Sequence, residues 1–199
     1  MNETEDKILR SATDIFFQKG YLGARMQEIA DAAGVNKAML HYYFRSKKDL
    51  YEKIISSLLG DLTDSISQAI DIKLDFKEVI SVVVEKYIDF LIANPRIPMF
   101  ILSEIQQNFD MLAPIFLKGF DLLPRNLMEL IQREAIKGKI KPVNPFQIFI
   151  NILSLCIFPF ASKPLLTLKF ELDNEEFIKL MQSRKTILPE FILSGIQNL

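Results

Sequence analysis

Apolar residues recur every three or four positions along nearly the whole chain, which is the period of helices. Ile8, Ala12, Ile15 and Phe16 share one face. Asn2 or Thr4 supplies a cap, and Glu3, Glu5 and Asp6 suit the positive end of a helix. A helix is therefore predicted over residues 4–19, with Gly20 as its stop. A short helix runs from Met26 to Ala33 and ends at Gly34, and Asn36 caps a third from Lys37 to Tyr43 or Phe44. Ser46-Lys47-Lys48-Asp49 is a capping-box-like start to a fourth. It carries Leu50, Ile54, Ile55, Leu58 and Leu62, with Gly60 as a weak point inside it.

Beyond residue 75 the pattern predicts helices at 76–93, 95–107, 113–137, 144–161 and 173–197. The breaks fall at Asn94-Pro95, at Leu112-Ala113-Pro114, from Gly138 to Pro145 and from Pro159 to Asp173. All nine prolines follow residue 94; Pro98 falls in a first turn, and Pro124 and Pro189 kink or divide their helices. No useful stretch alternates with the period of a strand, so the fold class is all-α.

Composition narrows the chemistry. The 199 residues include one cysteine, Cys156, and one histidine, His41, too few for a disulfide framework or an ordinary Cys/His zinc site. With no Gly-rich phosphate loop and no nucleophile motif, neither a cofactor nor an enzyme is expected. A carboxylate-only active site in the C-terminal half is the surviving enzyme version. The acidic N-terminus lacks the features of a signal peptide. The apolar run Phe146 to Phe160 is interrupted by Gln147, Asn151 and Ser154 and closed by Pro159. It is expected to be a buried helix, not a membrane span, in a cytoplasmic protein.

Lys and Arg number 24 against 25 Asp and Glu, so the net charge of −1 excludes a histone-like protein and turns attention to local charge. From Asn36 to Lys48 there are four basic residues, Lys37, Arg45, Lys47 and Lys48, and no acidic one. His41, Tyr42 and Tyr43 stand among them. Just upstream, Ala30 precedes Gly34 by four residues, which suits two short helices crossing steeply around a tight turn. Basic and hydrogen-bonding groups on the second of two such helices suit a phosphate-lined groove. The start of the helix at Ser46 offers a second place for an anion. A charged, solvated turn between two ordinary helices is the plainer explanation, and it leaves the combination of spacing and charge unaccounted for.

Residues 8–51 resemble the DNA-binding domain of the TetR family of bacterial transcriptional regulators. The resemblance rests on Ala12 with Phe16, Lys19-Gly20-Tyr21, Ile29-Ala30, Ala33-Gly34-Val35 and the run Leu40 to Leu50. It implies an N-terminal three-helix helix-turn-helix domain, residues 1–48, and a larger helical ligand-binding and dimerisation domain, residues 49–199. Lys37, Ala38 and Met39 would face base edges, while Tyr42 and Lys47 would touch phosphates, with Lys48 nearby. His41 stands where the family usually has Tyr, and its ring can still donate to a phosphate. Arg25 stands where Ser or Thr commonly caps the second helix; it contacts phosphate or is solvated. The implied partners are a near-palindromic DNA operator, a second copy of the chain and a small effector of unknown identity.

The C-terminal half concentrates phenylalanine, including Phe116, Phe120 and Phe149, and the bland expectation for each is a place in a helical core. A pocket among such helices would be largely apolar with a few polar groups. Tyr87, Ser103, Glu104 and Asn151 are the candidates because each is embedded in an apolar stretch. The run from Phe146 to Phe160 and the apolar face holding Phe177, Leu180, Met181, Ile187, Leu188, Phe191, Ile192 and Ile196 are candidate dimer elements. The expected function is a repressor released by an apolar effector. The alternative is a helical carrier whose N-terminal helices bind a protein instead of DNA.

Overall fold

The structure is a computed structural model and describes residues 3–71, 74–119 and 125–196. Asn2, one of the two expected caps, and Pro124, an expected kink, lie outside the described residues. The described chain forms α1 (Glu3–Gly23), α2 (Met26–Ala33), α3 (Lys37–Tyr43), α4 (Lys47–Asp71), α5 (Phe76–Ala93) and α6 (Ile97–Gln107). There follow α7 (Phe109–Gly119), α8 (Arg125–Ile136), α9 (Pro145–Ala161), α10 (Lys163–Phe170) and α11 (Asn174–Ile196). No strand occurs among the described residues.

Several helix starts obey local capping chemistry. Ser46 Oγ accepts from the Asp49 N–H at 3.1 Å, as its capping-box-like sequence suggests. Asp75 and Glu78 form a reciprocal capping box at α5, and Asp173 and Glu176 repeat the arrangement at α11. Asn144 accepts from the Phe146 N–H and begins α9 with Pro145 in its first turn, where no donor is needed.

Three expectations change. The break expected at Leu112–Pro114 lies instead at Asn108, and Pro114 sits inside α7. Asn108 ends α6 with its N–H on the Glu104 carbonyl and opens α7 with its own carbonyl, which accepts from Met111 and Leu112. Of the residues expected in one helix at 113–137, the described ones fall in α7 and α8, on either side of residues 120–124, which lie outside the described residues. The stretch from Pro159 to Asp173, expected to be a break, contains α10, because Pro164 occupies the first turn of that helix. Gly60 does not interrupt α4.

The helices gather into two compact units. The first comprises residues 1–61 and 99–120; the second comprises 62–98 and 121–199. Compactness thus does not divide the chain at residue 48. Segment 99–120, expected to belong to the C-terminal domain, folds with the N-terminal helices. The core of the first unit is built from Ile8, Ala12 and Phe16 of α1, Ile29 and Ala30 of α2, Leu40 of α3, and Leu50, Tyr51 and Ile55 of α4. Phe100 of α6 joins it, with ring contacts to Phe17 at 4.6 Å and Tyr51 at 6.3 Å.

In the second unit α5 packs against α8, α9 and α11. Its Val79, Ile80, Val83, Val84, Tyr87, Ile88 and Leu91 are all buried. Pro159 lies inside α9 and has no N–H for the carbonyl of Leu155. Arg184 of α11 supplies the missing donor, with Nη2 at 2.8 Å from that carbonyl. Cys156 is fully buried beside it, and burial pushes its thiol up to about 12, with the Arg184 charge opposing the shift. A thiol so protonated is an inert apolar side chain at neutral pH. No single helix among the described residues is long and apolar enough to cross a membrane. The α9–α10 pair reaches that length only with a 63° bend.

The fully buried position of Ile88 at the centre of α5 gives a direct check on this core. Ile88→Ala is expected to lower the unfolding free energy of the full chain by about 2–5 kcal/mol, read from urea denaturation.

Candidate nucleic-acid interface

The turn between α2 and α3 is dictated by one glycine and one asparagine. Gly34 adopts φ 67° and ψ 30°, a left-handed conformation that costs little only for glycine. Its N–H donates to the carbonyls of Ala30 and Asp31, and the Val35 N–H donates to Ala30 at 3.0 Å. These bonds close the C-terminus of α2. Asn36 then accepts from the Met39 N–H at 2.7 Å and opens α3. Ala30 and Leu40 are buried, so α3 is seated by its inner face and presents the other outward.

That outer face holds most of the expected DNA contacts. Lys37, Ala38, Met39, His41 and Tyr42 are exposed, as are Arg25, Arg45 and Lys48. Tyr42 is 83% exposed, with its ring edge-on to Tyr43 at 5.4 Å. His41 Nδ1 lies 3.4 Å from the Arg45 carbonyl. Arg25 occupies the N-cap of α2 without a side-chain capping bond. Glu28 supports that end of α2 instead. The Lys19 ammonium, 2.9 Å away, is the main cause holding the Glu28 carboxyl below the ordinary range; partial burial opposes it, and the charge and backbone N–H of Arg25 add to it.

Lys47 is placed differently from the other cations. Its Nζ donates to the carbonyls of Tyr21 at 2.7 Å and Ala24 at 3.0 Å, with the Leu22 carbonyl at 3.5 Å. It also lies 4.5 Å from the centroid of the Tyr21 ring. The ammonium therefore closes the end of α1, where the last carbonyls of a helix need partners from outside it. The positive charge of this residue was evident in the sequence, but the carbonyls it faces arise from a segment 23–26 residues earlier.

The expected ligand contacts divide between the two units. Glu104 is buried in the first, where its carboxylate accepts from the Tyr21 N–H, the Tyr51 hydroxyl and Asn108 Nδ2. Ser103 is half-buried on α6 and accepts from Gln107 Nε2, and Phe116 is half-buried on α7. In the second unit Tyr87 is buried in the core, and burial raises its hydroxyl far above the usual range, with Cys156 adding to the shift. Phe149 packs against the same core, while Asn151 lines an open groove of about 540 Å³ between α9 and α11. Phe120 lies outside the described residues. Tyr51 was not foreseen as a functional neighbour; its only sequence signal was a polar hydroxyl on the apolar face of α4.

Residues 8–54 match the model of the family described as bacterial regulatory proteins, tetR family. The HTH-type transcriptional activator FasR of Mycolicibacterium smegmatis is 33% identical over 90 residues, which are 45% of this chain and 41% of FasR. The match thus spans less than half the length of that relative. The fatty acid metabolism regulator protein of Bacillus subtilis is 26% identical over 135 residues, 66% of this chain and 70% of that protein. The fold is that of the ketosteroid transcriptional regulator KstR2 of Mycobacterium tuberculosis, with a TM-score of 0.74, 14% identity and coverage of 100% of this chain and 97% of that one. The glycine-turned, asparagine-capped helix pair lies wholly within the segment that matches the tetR-family model.

Two glycines of this interface share a φ of 67° and differ in their surroundings. A Cβ on Gly34 would meet nothing within 4 Å, whereas one on Gly20 would lie 2.8 Å from Glu104 Oε1. Gly20 also has ψ 175°, a backbone region almost exclusive to glycine. Gly34→Ala is expected to lose about 1–2 kcal/mol of stability. Gly20→Ala is expected to lose about 3 kcal/mol or more, both read by thermal and urea unfolding.

Proposed function

We propose that this protein is a ligand-responsive transcriptional regulator that binds a near-palindromic operator as a homodimer. The observation that carries the reading is the outer face of α3, where Lys37, Ala38, Met39 and Tyr42 stand exposed on a helix fixed by Asn36 and Gly34. Lys37 is suited to a guanine edge, and Ala38 and Met39 to a thymine methyl. Arg25, His41, Tyr42, Arg45 and Lys48 surround them with groups suited to phosphate. Lys47 belongs to the same interface by sequence, although its ammonium is engaged with carbonyls. Relatives of this chain carry the names of transcriptional regulators and not of enzymes, which supports assigning no reaction to it.

The dimer is proposed to form through α9 and α11. Phe158 and Phe191 are each 63% exposed, and Ile187 and Leu180 are 54% and 47% exposed. Together with Asn151 and Ser154 they leave a largely apolar face on two long helices, suited to a two-fold four-helix contact. The effector is proposed to be small and largely apolar, bound in the second unit. Support comes from the phenylalanine-rich α9 and from relatives named for fatty acid metabolism and for ketosteroids. Its binding would favour a spacing of the two α3 helices that does not fit DNA. Repression is the proposed sign of regulation, and FasR, named as an activator, makes the sign a point to measure. A carrier whose N-terminal helices bind protein is not favoured, because the matched segment is that of DNA-binding regulators.

Selection from random genomic fragments at two salt concentrations tests the reading. The expected product is a site of two inverted half-sites about one DNA turn apart, roughly 34–36 Å, bound more weakly at higher salt. Failure to enrich any site at low salt would overturn it. On the selected operator, Lys37→Ala is expected to cost about 1–3 kcal/mol and relax preference at one base pair in each half-site. Phe191→Glu is expected to give a monomer by light scattering and to abolish tight operator binding.

A further inference from the structure

We propose that Glu104 and Lys47 form a charge clamp on the two sides of residue Tyr21, and that Lys47 serves DNA reading by positioning and not by touching phosphate. This rests on the DNA-reading function proposed above and adds two positioning residues to it, one of them far along the sequence from the helix-turn-helix.

The geometry is that of a single residue held through the peptide groups on its two sides. The Tyr21 N–H donates to Glu104 Oε1 at 3.1 Å, and the Tyr21 carbonyl accepts from Lys47 Nζ at 2.7 Å. The ring between them is fixed as well. It lies edge-on to Tyr51 at 4.9 Å, stacks near Phe16 at 6.4 Å and has the Lys47 ammonium 4.5 Å from its centroid. Tyr51 in turn donates its hydroxyl to Glu104 Oε2 at 2.7 Å, and Asn108 Nδ2 donates to the same oxygen at 3.1 Å. Glu104 is 1% exposed, so its charge has been taken out of water and is balanced by these three hydrogen bonds.

The hydrogen-bonding capacity of Lys47 is already taken. An ammonium has three donors. Two make short bonds, to Tyr21 and Ala24, and the third side of the group is bounded by the Leu22 carbonyl and the aromatic face. A phosphate oxygen could be served only by releasing a carbonyl that closes α1. The segment so fixed, from the break at Gly20 to the N-cap Arg25, sets where α2 begins. Since α2 and Gly34 seat α3, an error at Tyr21 is carried to the reading face. Reading a base edge requires side chains placed to within about 0.5 Å, and that placement comes from supporting contacts of this kind.

Electrostatics alone predicts the opposite outcome for Glu104, and this makes the clamp testable in the full chain. Removing a negative charge from a DNA-binding unit should strengthen its attraction to any duplex. The clamp predicts that Glu104→Ala weakens binding to the selected operator by about tenfold or more, the loss of a well-placed base contact, with little change on an unrelated duplex of equal length. Lys47→Ala is expected to show the same loss of selectivity with an unchanged slope of log affinity against log salt. Glu104→Gln, which keeps an acceptor, should recover most of it. Tyr51→Phe removes one donor without leaving a hole and should lose selectivity in the same direction should Glu104→Ala fail to fold.

Three results would overturn the clamp. One is a Lys47→Ala variant that loses affinity equally for both duplexes with its salt slope reduced by about 0.9, the signature of one lost phosphate contact. Another is unchanged or increased operator affinity in Glu104→Ala. The third concerns hydrogen exchange at the Tyr21 amide, measured without DNA. It should be slow in the parent chain and faster in Glu104→Ala and Lys47→Ala, and equal rates would remove the clamp whatever the DNA data show. A parent chain that selects no operator overturns the DNA-reading function itself, a failure distinct from that of the exchange measurement.

Discussion

A buried carboxylate held by three neutral donors lies in the interior of the first unit. Glu104 balances its buried charge with an amide N–H, a phenol and a carboxamide, drawn from α1, α4 and the α6–α7 junction. A buried carboxylate missing one such donor would be left with a desolvation cost of about 1–3 kcal/mol or more. The three elements are therefore obliged to stay together. Much of the local detail follows from this obligation. Gly20 has no side chain because Glu104 occupies the place where a Cβ would sit. Tyr51 carries a hydroxyl within an otherwise apolar face of α4. Asn108, and not the nearby proline, marks the boundary between α6 and α7.

The second unit handles its conflicts by a different device. Prolines within α9 and α11 remove backbone donors from long helices that must remain continuous to cover α5. At Pro159 the freed carbonyl is met by a guanidinium from the neighbouring helix, which converts a local defect into a contact between α9 and α11. The same helices keep an exposed apolar face on their other side. Tertiary polar bonds thus serve different ends: in the first unit they satisfy a buried carboxylate, and in the second they satisfy a carbonyl that a proline leaves free.

What could be read along the chain was what short-range chemistry decides. The order α2, Gly34, Asn36, α3 follows from a left-handed glycine and a capping amide within a span of ten residues, and those signals were unambiguous. The start of α4 at Ser46 and the extent of α5 were legible for the same reason. Membership of a unit was not, because nothing near Glu104 says that its partners are Tyr21 and Tyr51. Glu104 stood out only as a charge in an apolar run, which is equally the mark of a ligand contact and of a buried tether. The sequence likewise revealed the charge of Lys47 without revealing its surroundings. α10 escaped notice because the whole stretch from Pro159 to Asp173 reads as a break along the sequence, whereas Pro164 within it sits in the first turn of a helix, where proline is a starter.

The distance along the chain between the parts of the first unit also sets an order of events during synthesis. Glu104 follows Tyr21 by 83 residues and Tyr51 by 53. At about 5–20 residues per second on the ribosome, Tyr51 waits roughly 3–10 s for its partner to be made. All of α5 is translated in that interval, so a unit that begins at the N-terminus stays incomplete until a helix of the second unit has already been made. A chain cut short before residue 104 carries every residue of the helix-turn-helix and lacks the acceptor that holds it in register.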